Sequence, residues 1–204
     1  SDPLSIVVSV VLVSQGVVQN FKPYETVSLL EPITLDDGTV VTEEVVPLGP
    51  AASQVAIKQL GTNGGGFFGA NSAHPLENPN ALSNLFEMIS ILLIPAALCF
   101  TFGRNVKDKK QGIALFLAMG IMLVATLGII GVNEQNATPQ LAMNGQVDLS
   151  AVDQAGGNME GKESRFGIAT STTWSAFTTA ASNGSVNAMH DSYTPIGGMI
   201  TIDR

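Results

Sequence analysis

The feature that most constrains the fold of this chain is an uninterrupted apolar run at residues 113–132. A helix of about 20 such residues crosses the hydrocarbon core of a bilayer. A second long apolar run, residues 82–102, contains Pro95, which we expect to kink the helix. Hydrophobic residues make up 45% of the sequence and charged residues only 13%, against about 25% in ordinary soluble domains. The sequence therefore predicts an α-helical membrane protein.

Charge is distributed unevenly along the sequence. The short segment 104–110, between the two apolar runs, holds a cluster of basic residues, whereas the segments 20–50 and 133–165 are acidic. Short basic loops face the cytoplasm, so we expect loop 104–112 inside the cell and both acidic segments outside it. The net charge of −8 argues against nucleic acid as a partner, because a phosphate binder needs a basic face.

A glycine-rich stretch follows a short predicted helix at residues 51–61. It reads Gly61-Thr62-Asn63-Gly64-Gly65-Gly66-Phe67-Phe68. Consecutive glycines adopt positive φ easily, so several carbonyls can point at one centre. The helix is too short to cross a bilayer, which suits a re-entrant half-helix. Its C-terminal end carries partial negative charge, and this favours a cation over phosphate at the loop.

A second copy of this stretch lies 120 residues downstream. Aligning TNGGGFFGANSAHP with SNGSVNAMHDSYTP places Asn63 on Asn183 and Gly64 on Gly184. The order of elements repeats as well: a span, an acidic loop, a half-helix, a polar turn and another span. This is the plan of potassium-channel-like pores, in which backbone carbonyls replace the water around a cation. A fourfold filter would need two more such units from outside this sequence.

The repeat predicts two units joined by the basic loop. The first, 1–103, is predicted to comprise a span (4–19), an outer acidic loop (20–50), a pore helix (51–61), a filter (62–66) and a second span (82–103). The second, 113–204, is predicted to comprise a span (113–132), an outer loop (133–165), a pore helix (166–181), a filter (182–186) and the start of another span (192–204). In the first acidic loop, Asp37-Gly38 predicts a hairpin turn between segments 33–35 and 39–41. Apolar runs lie close to both ends of the sequence, so we expect a piece of a longer polypeptide.

Four motifs carry a resemblance to a known family: GTNGGGFFGANSAHPLENP, LIPAALCFTFGR, NMEGKESRFGI and TTAASNGSVNAMHDSYTPIGGM. Over essentially the whole chain, they resemble the potassium-binding A subunit family (KdpA) of the bacterial Kdp-type K⁺-transporting ATPases. The resemblance implies the fold of the SKT superfamily, in which four span–pore half-helix–filter loop–span units form one pore. This sequence resembles the second unit and most of the third.

The resemblance also implies which residues form the filter. They are Thr62, Asn63, Gly64, Gly65 and Gly66 in the first loop, and Ser182, Asn183, Gly184 and Ser185 in the second. K⁺ is then the transported ion, bound by backbone carbonyls rather than by the Asn183 side chain. Gly64 and Gly184 are the positions we expect to tolerate substitution least, because a Cβ there would strain the loop and crowd the ion.

Partners and localisation follow from the same resemblance. It implies a multi-pass protein of the bacterial inner membrane, in complex with a P-type ATPase catalytic subunit and two small subunits. The sequence contains no DKTGT-like phosphorylation loop and no Walker A loop. We therefore expect this chain to bind no nucleotide and to perform no catalysis itself.

Residues outside the glycine loops have structural or supporting interpretations. We expect Phe67 and Phe68 to pack behind the filter and Asp191 to fix the second loop through hydrogen bonds. Glu87 is either a functional carboxylate in the membrane or a residue at its interface. The two histidines, His74 and His190, are expected to be structural, since a metal site needs several ligands at fixed spacing.

Two other function classes remain open from the sequence. One is a membrane scaffold without transport activity, or an inert fragment of a transporter. The other is a soluble extracellular binding module, in which residues 113–132 would form a buried core helix. Further copies of the glycine loop in adjoining sequence would favour the transporter, and extraction without detergent would favour the soluble module.

Overall fold

Two long antiparallel helices form the central element of the fold. The computed structural model describes residues 2–136 and 156–202, with the side chains of residues 2 and 202 excepted. Helix α3 (Ala81–Asn105) and helix α4 (Lys109–Gln135) have mean hydropathies of 2.1 and 2.7 over their most apolar windows. Within the described ranges, these two helices are long and apolar enough to cross a membrane, and most of their side chains are exposed. This agrees with the predicted spans 82–103 and 113–132.

The connection between α3 and α4 is much shorter than the predicted basic loop 104–112. Only residues 106–108 lie outside helices, because Asp108 caps α4 by accepting a hydrogen bond from the Lys110 amide at 2.9 Å. The helices approach closely beside this turn, where a Cβ on Gly112 would come within 3.1 Å of the Gly103 Cα. The basic side chains therefore project mostly from helix ends.

Helix α1 (Asp2–Ser14) packs against the short helix α2 (Ala51–Leu60). The buried side chains at this contact include Leu12 and Val55. The predicted span 4–19 is wrong at its C-terminal end: α1 ends at Ser14 because the chain turns at Gly16, whose φ is +97°. The bounds of α2 agree with the predicted helix 51–61 to within one residue, and its role as a pore helix stays a prediction.

The first acidic segment forms a two-stranded antiparallel sheet of β1 (Tyr24–Thr34) and β2 (Val40–Pro47). The predicted turn at Asp37-Gly38 is confirmed, with Gly38 at φ +83°. The predicted strand segments 33–35 and 39–41 are too short, because pairing continues past a bulge between Ser28 and Ile33. Most side chains of both strands are exposed.

The C-terminal part of the chain packs against α3 and α4. Helix α5 (Gly167–Ala181) contacts both, and a 3₁₀ turn (His190–Ser192) leads into helix α6 (Pro195–Ile202). The predicted helices 166–181 and 192–204 thus begin one and three residues later than expected. Much of the predicted outer loop 133–165 lies outside the described residues, as do residues 203–204.

Candidate functional site

The two glycine-containing loops follow α2 and α5 and have a similar backbone course over their first three residues. Each begins with a left-handed residue, Thr62 at φ +50° and Ser182 at φ +52°. Two residues later, Gly64 and Gly184 have φ +71° and +87°. Positive φ is easy for glycine and costly for other residues, so both loops bend at the positions where the sequence has glycine.

Matching hydrogen bonds tie each loop to the helix before it. The Asn63 amide donates to the Lys58 carbonyl, and the Asn183 amide donates to the Thr178 carbonyl, both at 2.9 Å. Lys58 and Thr178 are themselves 120 residues apart. Backbone angles and hydrogen bonds thus share the spacing of the sequence motif.

The loops contact each other directly at Gly64. A Cβ on Gly64 would overlap the Asn183 carbonyl oxygen and lie 2.8 Å from the Ser185 nitrogen. Gly184 has no described neighbour within 4 Å of its Cβ position. Gly64 is therefore restricted by both conformation and contact, whereas Gly184 is restricted within this chain by conformation alone.

Side-chain hydrogen bonds join the second loop to α2. The Asn183 Nδ2 donates to the Lys58 carbonyl at 3.1 Å, and the Ser185 Oγ donates to Gln59 Oε1 at 2.9 Å. The Asn183 Oδ1 accepts from the Ser185 amide at 2.9 Å. Because both ends of the Asn183 amide group are engaged, its side chain is not free to bind an ion.

The loop carbonyls fall into two groups. No described residue donates a hydrogen bond to the carbonyl oxygens of residues 62–64 or 182–184. The next carbonyl in each loop accepts a side-chain hydrogen bond. Lys58 Nζ donates to the Gly65 carbonyl and Trp174 Nε1 donates to the Ser185 carbonyl, each at 2.7 Å. Among the described residues, the oxygens of residues 62–64 and 182–184 are thus left without a hydrogen-bond donor.

A buried ion pair supports the first loop. Lys58 Nζ pairs with Glu77 Oε1, and both side chains are almost fully excluded from solvent. The other carboxylate oxygen, Glu77 Oε2, accepts a hydrogen bond from the Phe67 amide at 2.9 Å. The sequence did not indicate this pair, since no pattern links positions 19 residues apart on a helix and a loop.

Glu87 lies behind the loops and not at an interface with solvent. Its side chain is fully buried, and its Oε2 accepts from Gln59 Nε2 at 2.9 Å. Gln59 Nε2 also donates to Ser72 Oγ at 3.0 Å. Glu87 Oε1 has no hydrogen-bond partner among the described residues. Glu87 is thus buried within the protein, and the choice between a functional carboxylate and a residue at the membrane interface stays open.

The supporting residues predicted from sequence have mixed outcomes. The rings of Phe67 and Phe68 are half-buried against the cluster formed by α1 and α2. Asp191 is exposed, and no hydrogen bond joins it to the second loop within the described ranges. The predicted loop-fixing role of Asp191 is therefore not supported, and Trp174 and Thr178 hold this loop instead.

Both histidines make structural contacts. His74 stacks on Phe68 at 4.6 Å between ring centroids, and its Nδ1 accepts from the Leu76 amide at 3.2 Å. Burial, reinforced by the positive charge of Arg165, lowers the pKa of His74. Burial also lowers the pKa of His190, whose Nε2 lies 3.1 Å from Ser175 Oγ.

The chemistry of this site is that of backbone oxygens. In the part of the chain that the structure describes, no three His, Cys, Asp or Glu side chains cluster as metal ligands. Two adjacent loops instead present carbonyl oxygens, and each follows the C-terminal end of a helix, where the helix dipole is negative. Both features favour a dehydrated monovalent cation and disfavour anions.

Comparison with known proteins agrees with this chemistry. The chain is 84% identical over 198 residues to a potassium-transporting ATPase potassium-binding subunit of Clostridium botulinum, strain Alaska E43. It is 75% identical over 200 residues to the subunit of that name in Clostridium perfringens and 59% identical over 202 residues to that in Desulfovibrio desulfuricans. These matches cover 97–98% of this chain but only 34–35% of each relative, so the chain spans about a third of their length.

A family profile leads to the same assignment. The profile described as KdpA, potassium-transporting ATPase A subunit, matches residues 3–203. Two helices with the length and hydropathy of membrane spans fit a membrane subunit. The chain covers about a third of each relative, which agrees with the prediction that it is a piece of a longer polypeptide. This chain belongs to the family of potassium-transporting ATPase A subunits.

Proposed function

We propose that this chain supplies two adjacent sectors of a four-sector K⁺ filter in an ATP-driven potassium uptake complex. The first sector is the loop 62–66 and the second is the loop 182–186. The carbonyls of residues 62–64 and 182–184 coordinate K⁺ in place of water, and the ends of α2 and α5 add negative potential. The remaining two sectors belong to the rest of the polypeptide, since this chain spans a third of its relatives.

ATP hydrolysis belongs to a partner in this proposal. The sequence has no phosphorylation or Walker A motif. Relatives are named potassium-binding subunits of a potassium-transporting ATPase, and a P-type catalytic subunit with two small subunits would complete such a complex. The helices α3 and α4 cross the membrane, with the turn 106–108 in the cytoplasm and the hairpin β1–β2 outside.

One observation carries the proposal. The two loops have matching φ angles and matching backbone hydrogen bonds at a spacing of 120 residues, and they touch at Gly64. A single glycine-rich turn is compatible with many functions. Two equivalent turns side by side, each with three carbonyls free of described donors, form part of a ring of oxygens around an axis.

The test compares two glycine substitutions in the full-length complex. Gly64→Ala adds a Cβ at φ +71° that overlaps the Asn183 carbonyl, while Gly38→Ala adds one at φ +83° in the hairpin with nothing within 4 Å. Both variants impose similar backbone strain, about 1 kcal/mol. We expect Gly64→Ala to raise the K⁺ concentration for half-maximal ATPase stimulation by roughly tenfold, corresponding to the loss of one well-placed ligand.

The control should leave the K⁺ dependence within error of the unmodified complex. Gly184→Ala should also weaken K⁺ activation. Its Cβ would meet no described atom within 4 Å, but alanine at φ +87° strains the backbone of the second loop. Equal K⁺ dependence in Gly64→Ala and the unmodified complex, at equal assembly, would contradict the filter assignment.

A further inference from the structure

We infer that Lys58 and Glu77 act as positioning residues that set the ion selectivity of the first loop. This inference rests on the proposed filter function and concerns side chains that do not themselves touch the ion. The pair lies behind the loop, where it holds two consecutive stretches of backbone in fixed orientations. Its role is to keep the cage of carbonyls at one size.

Lys58 contacts both ends of the first loop. Its backbone carbonyl accepts from the Asn63 amide at 2.9 Å, at the beginning of the loop. Its ammonium donates to the Gly65 carbonyl at 2.7 Å, at the end of the free carbonyls. Residues 63–65 are thus held at both ends by one residue of α2.

Glu77 extends the restraint to the next peptide groups. One carboxylate oxygen pairs with Lys58, and the other accepts from the Phe67 amide at 2.9 Å. Hydrogen bonds that involve charged groups are about twice as strong as neutral ones. Three glycines in a row have no stiffness of their own, so these charged bonds supply the rigidity that the sequence of the loop lacks.

The charge balance explains why the ammonium is tolerated. An unpaired cation beside a cation filter would repel the ion and would carry a large desolvation penalty. Glu77 neutralises Lys58 at the site, with side-chain exposures of 2% for Lys58 and 0% for Glu77. The pair therefore adds two hydrogen bonds to the loop without adding net charge.

The second loop offers independent support. Ser185 lies 120 residues beyond Gly65, and its carbonyl accepts a hydrogen bond of the same length, 2.7 Å, from Trp174 Nε1. Donors of different chemistry, on helices α2 and α5, thus hold the same carbonyl of the repeat. Both loops therefore have a hydrogen bond to this carbonyl, although a lysine donates it in the first loop and a tryptophan in the second.

Where selectivity depends on the fit between ion and cage, a cage held at one size discriminates between ions better than a flexible one. Selectivity should therefore depend on this pair more than maximal turnover does. We expect a complex without the pair to accept Rb⁺ and Na⁺ more readily relative to K⁺, because the Gly65 peptide can then turn to suit ions of other sizes.

The experiment uses the full-length complex with the double substitution Lys58→Met/Glu77→Gln. The double variant removes the Lys58 donor together with the charge of its partner Glu77, and the glutamine oxygen can still accept from Phe67. The ratios of half-saturating K⁺, Rb⁺ and Na⁺ concentrations are measured from ATPase stimulation. We expect discrimination in favour of K⁺ to fall by roughly fivefold or more.

A second buried ion pair provides the matched control. Lys162 Nζ lies 2.8 Å from Glu134 Oε2, and both side chains are fully buried, but neither donates to or accepts from the glycine loops. Lys162→Met/Glu134→Gln should reduce thermal stability and leave the ion ratios unchanged. Equal ion ratios in both double variants and the unmodified complex would overturn the inference, as would equal changes in both.

Two further variants keep the outcomes distinct. If the Lys58→Met/Glu77→Gln complex does not assemble, Lys58→Arg replaces it, since arginine keeps the charge but alters the donor geometry. Altered ion ratios in Lys58→Arg support the inference, and unaltered ratios contradict it. Gly64→Ala is measured in parallel. If K⁺ activation changes in Gly64→Ala while the ion ratios of the ion-pair variant stay unchanged, only the role of the ion pair is rejected. If neither variant changes, the filter proposal is rejected as well.

Discussion

At the scale of single residues, Trp174 is the clearest case of a side chain whose polar atom matters more than its bulk. The indole is fully buried between α5 and α3, and its Nε1 donates to the Ser185 carbonyl at 2.7 Å. A buried indole can contribute through packing alone. The hydrogen bond instead makes it the counterpart, in the second loop, of the Lys58 ammonium.

Trp174→Phe tests this role, because phenylalanine keeps most of the packing and loses the donor. We expect about a three- to tenfold rise in half-saturating K⁺, since one buried hydrogen bond contributes about 1 kcal/mol. Tyr193→Phe is the matched control, as it removes a 2.9 Å hydrogen bond from a buried ring to the Ser171 carbonyl, away from the loops. An equal effect of both substitutions on K⁺ activation would argue against a specific role for Trp174.

At the residue scale, the structure bears out the backbone conformation expected of the glycines, while their role in a filter stays a prediction. Gly64 and Gly184 were identified because few other residues adopt positive φ easily, and both have it. The supports were missed because they depend on distant pairs: the Asn183 side chain and the Lys58 carbonyl are 125 residues apart in sequence. Asp191 was chosen for its charge and nearness in sequence, but the chain turns its side chain towards solvent.

At the scale of elements, the hairpin β1–β2 depends on a turn with a titratable residue. The Asp37 carboxylate accepts a hydrogen bond from the Thr39 amide at 2.9 Å, and this bond lowers the pKa of Asp37 below its ordinary value. The carboxylate form is therefore favoured in the folded turn. Its contribution is present above the unfolded pKa, about 4, and is lost as the pH falls through the lower folded pKa.

We expect the Thr39 amide to exchange faster with solvent, after correction for intrinsic exchange, when the pH falls below about 4. Hydrogen exchange of the detergent-solubilised complex, followed by mass spectrometry, measures this change. In Asp37→Asn the amide oxygen can still accept from Thr39 but does not titrate, so the pH dependence should disappear. A pH dependence that persists in Asp37→Asn would assign it to another group.

Element boundaries were predictable where one physical property fixes them. Long apolar runs fixed α3 and α4, which extend a few residues beyond 82–103 and 113–132 because polar residues continue each helix to its cap. The end of α1 and the length of the hairpin were not fixed in this way. A turn at a glycine shortens α1, and strand pairing across a bulge lengthens the hairpin. Neither feature changes the local hydrophobic pattern of the sequence.

At the scale of the whole molecule, the polar loops that the structure describes, other than the turn 106–108, gather at the same end of the α3–α4 pair. The N-terminus of α3 lies beside the glycine loops through Asn84, which accepts from Asn187 Nδ2 at 3.0 Å. The C-terminus of α4 is joined to the start of α6 through Glu134, which accepts from the Thr194 amide at 2.7 Å. The turn 106–108 lies alone at the far end, and between the two ends the helices expose apolar side chains.

The charge pattern and the fold both predict that the hairpin β1–β2 and the turn 106–108 lie on opposite sides of the membrane. In the full-length complex, with Cys99 and every other cysteine replaced, single-cysteine variants Asp36→Cys and Lys110→Cys place thiols at exposed positions on opposite ends of the molecule. Cys99 itself is buried, with its Sγ 3.5 Å from the Pro95 carbonyl, and its replacement by alanine removes the thiol of this chain.

A membrane-impermeant maleimide applied to the outside of spheroplasts should label Asp36→Cys at once. It should label Lys110→Cys only after the membrane is permeabilised, because basic residues at the end of a span stay in the cytoplasm. The reverse pattern would invert the proposed orientation and place the glycine loops at the inner face, where a filter could not select ions entering from outside. Labelling of both thiols from outside would contradict the membrane-spanning assignment of α3 and α4.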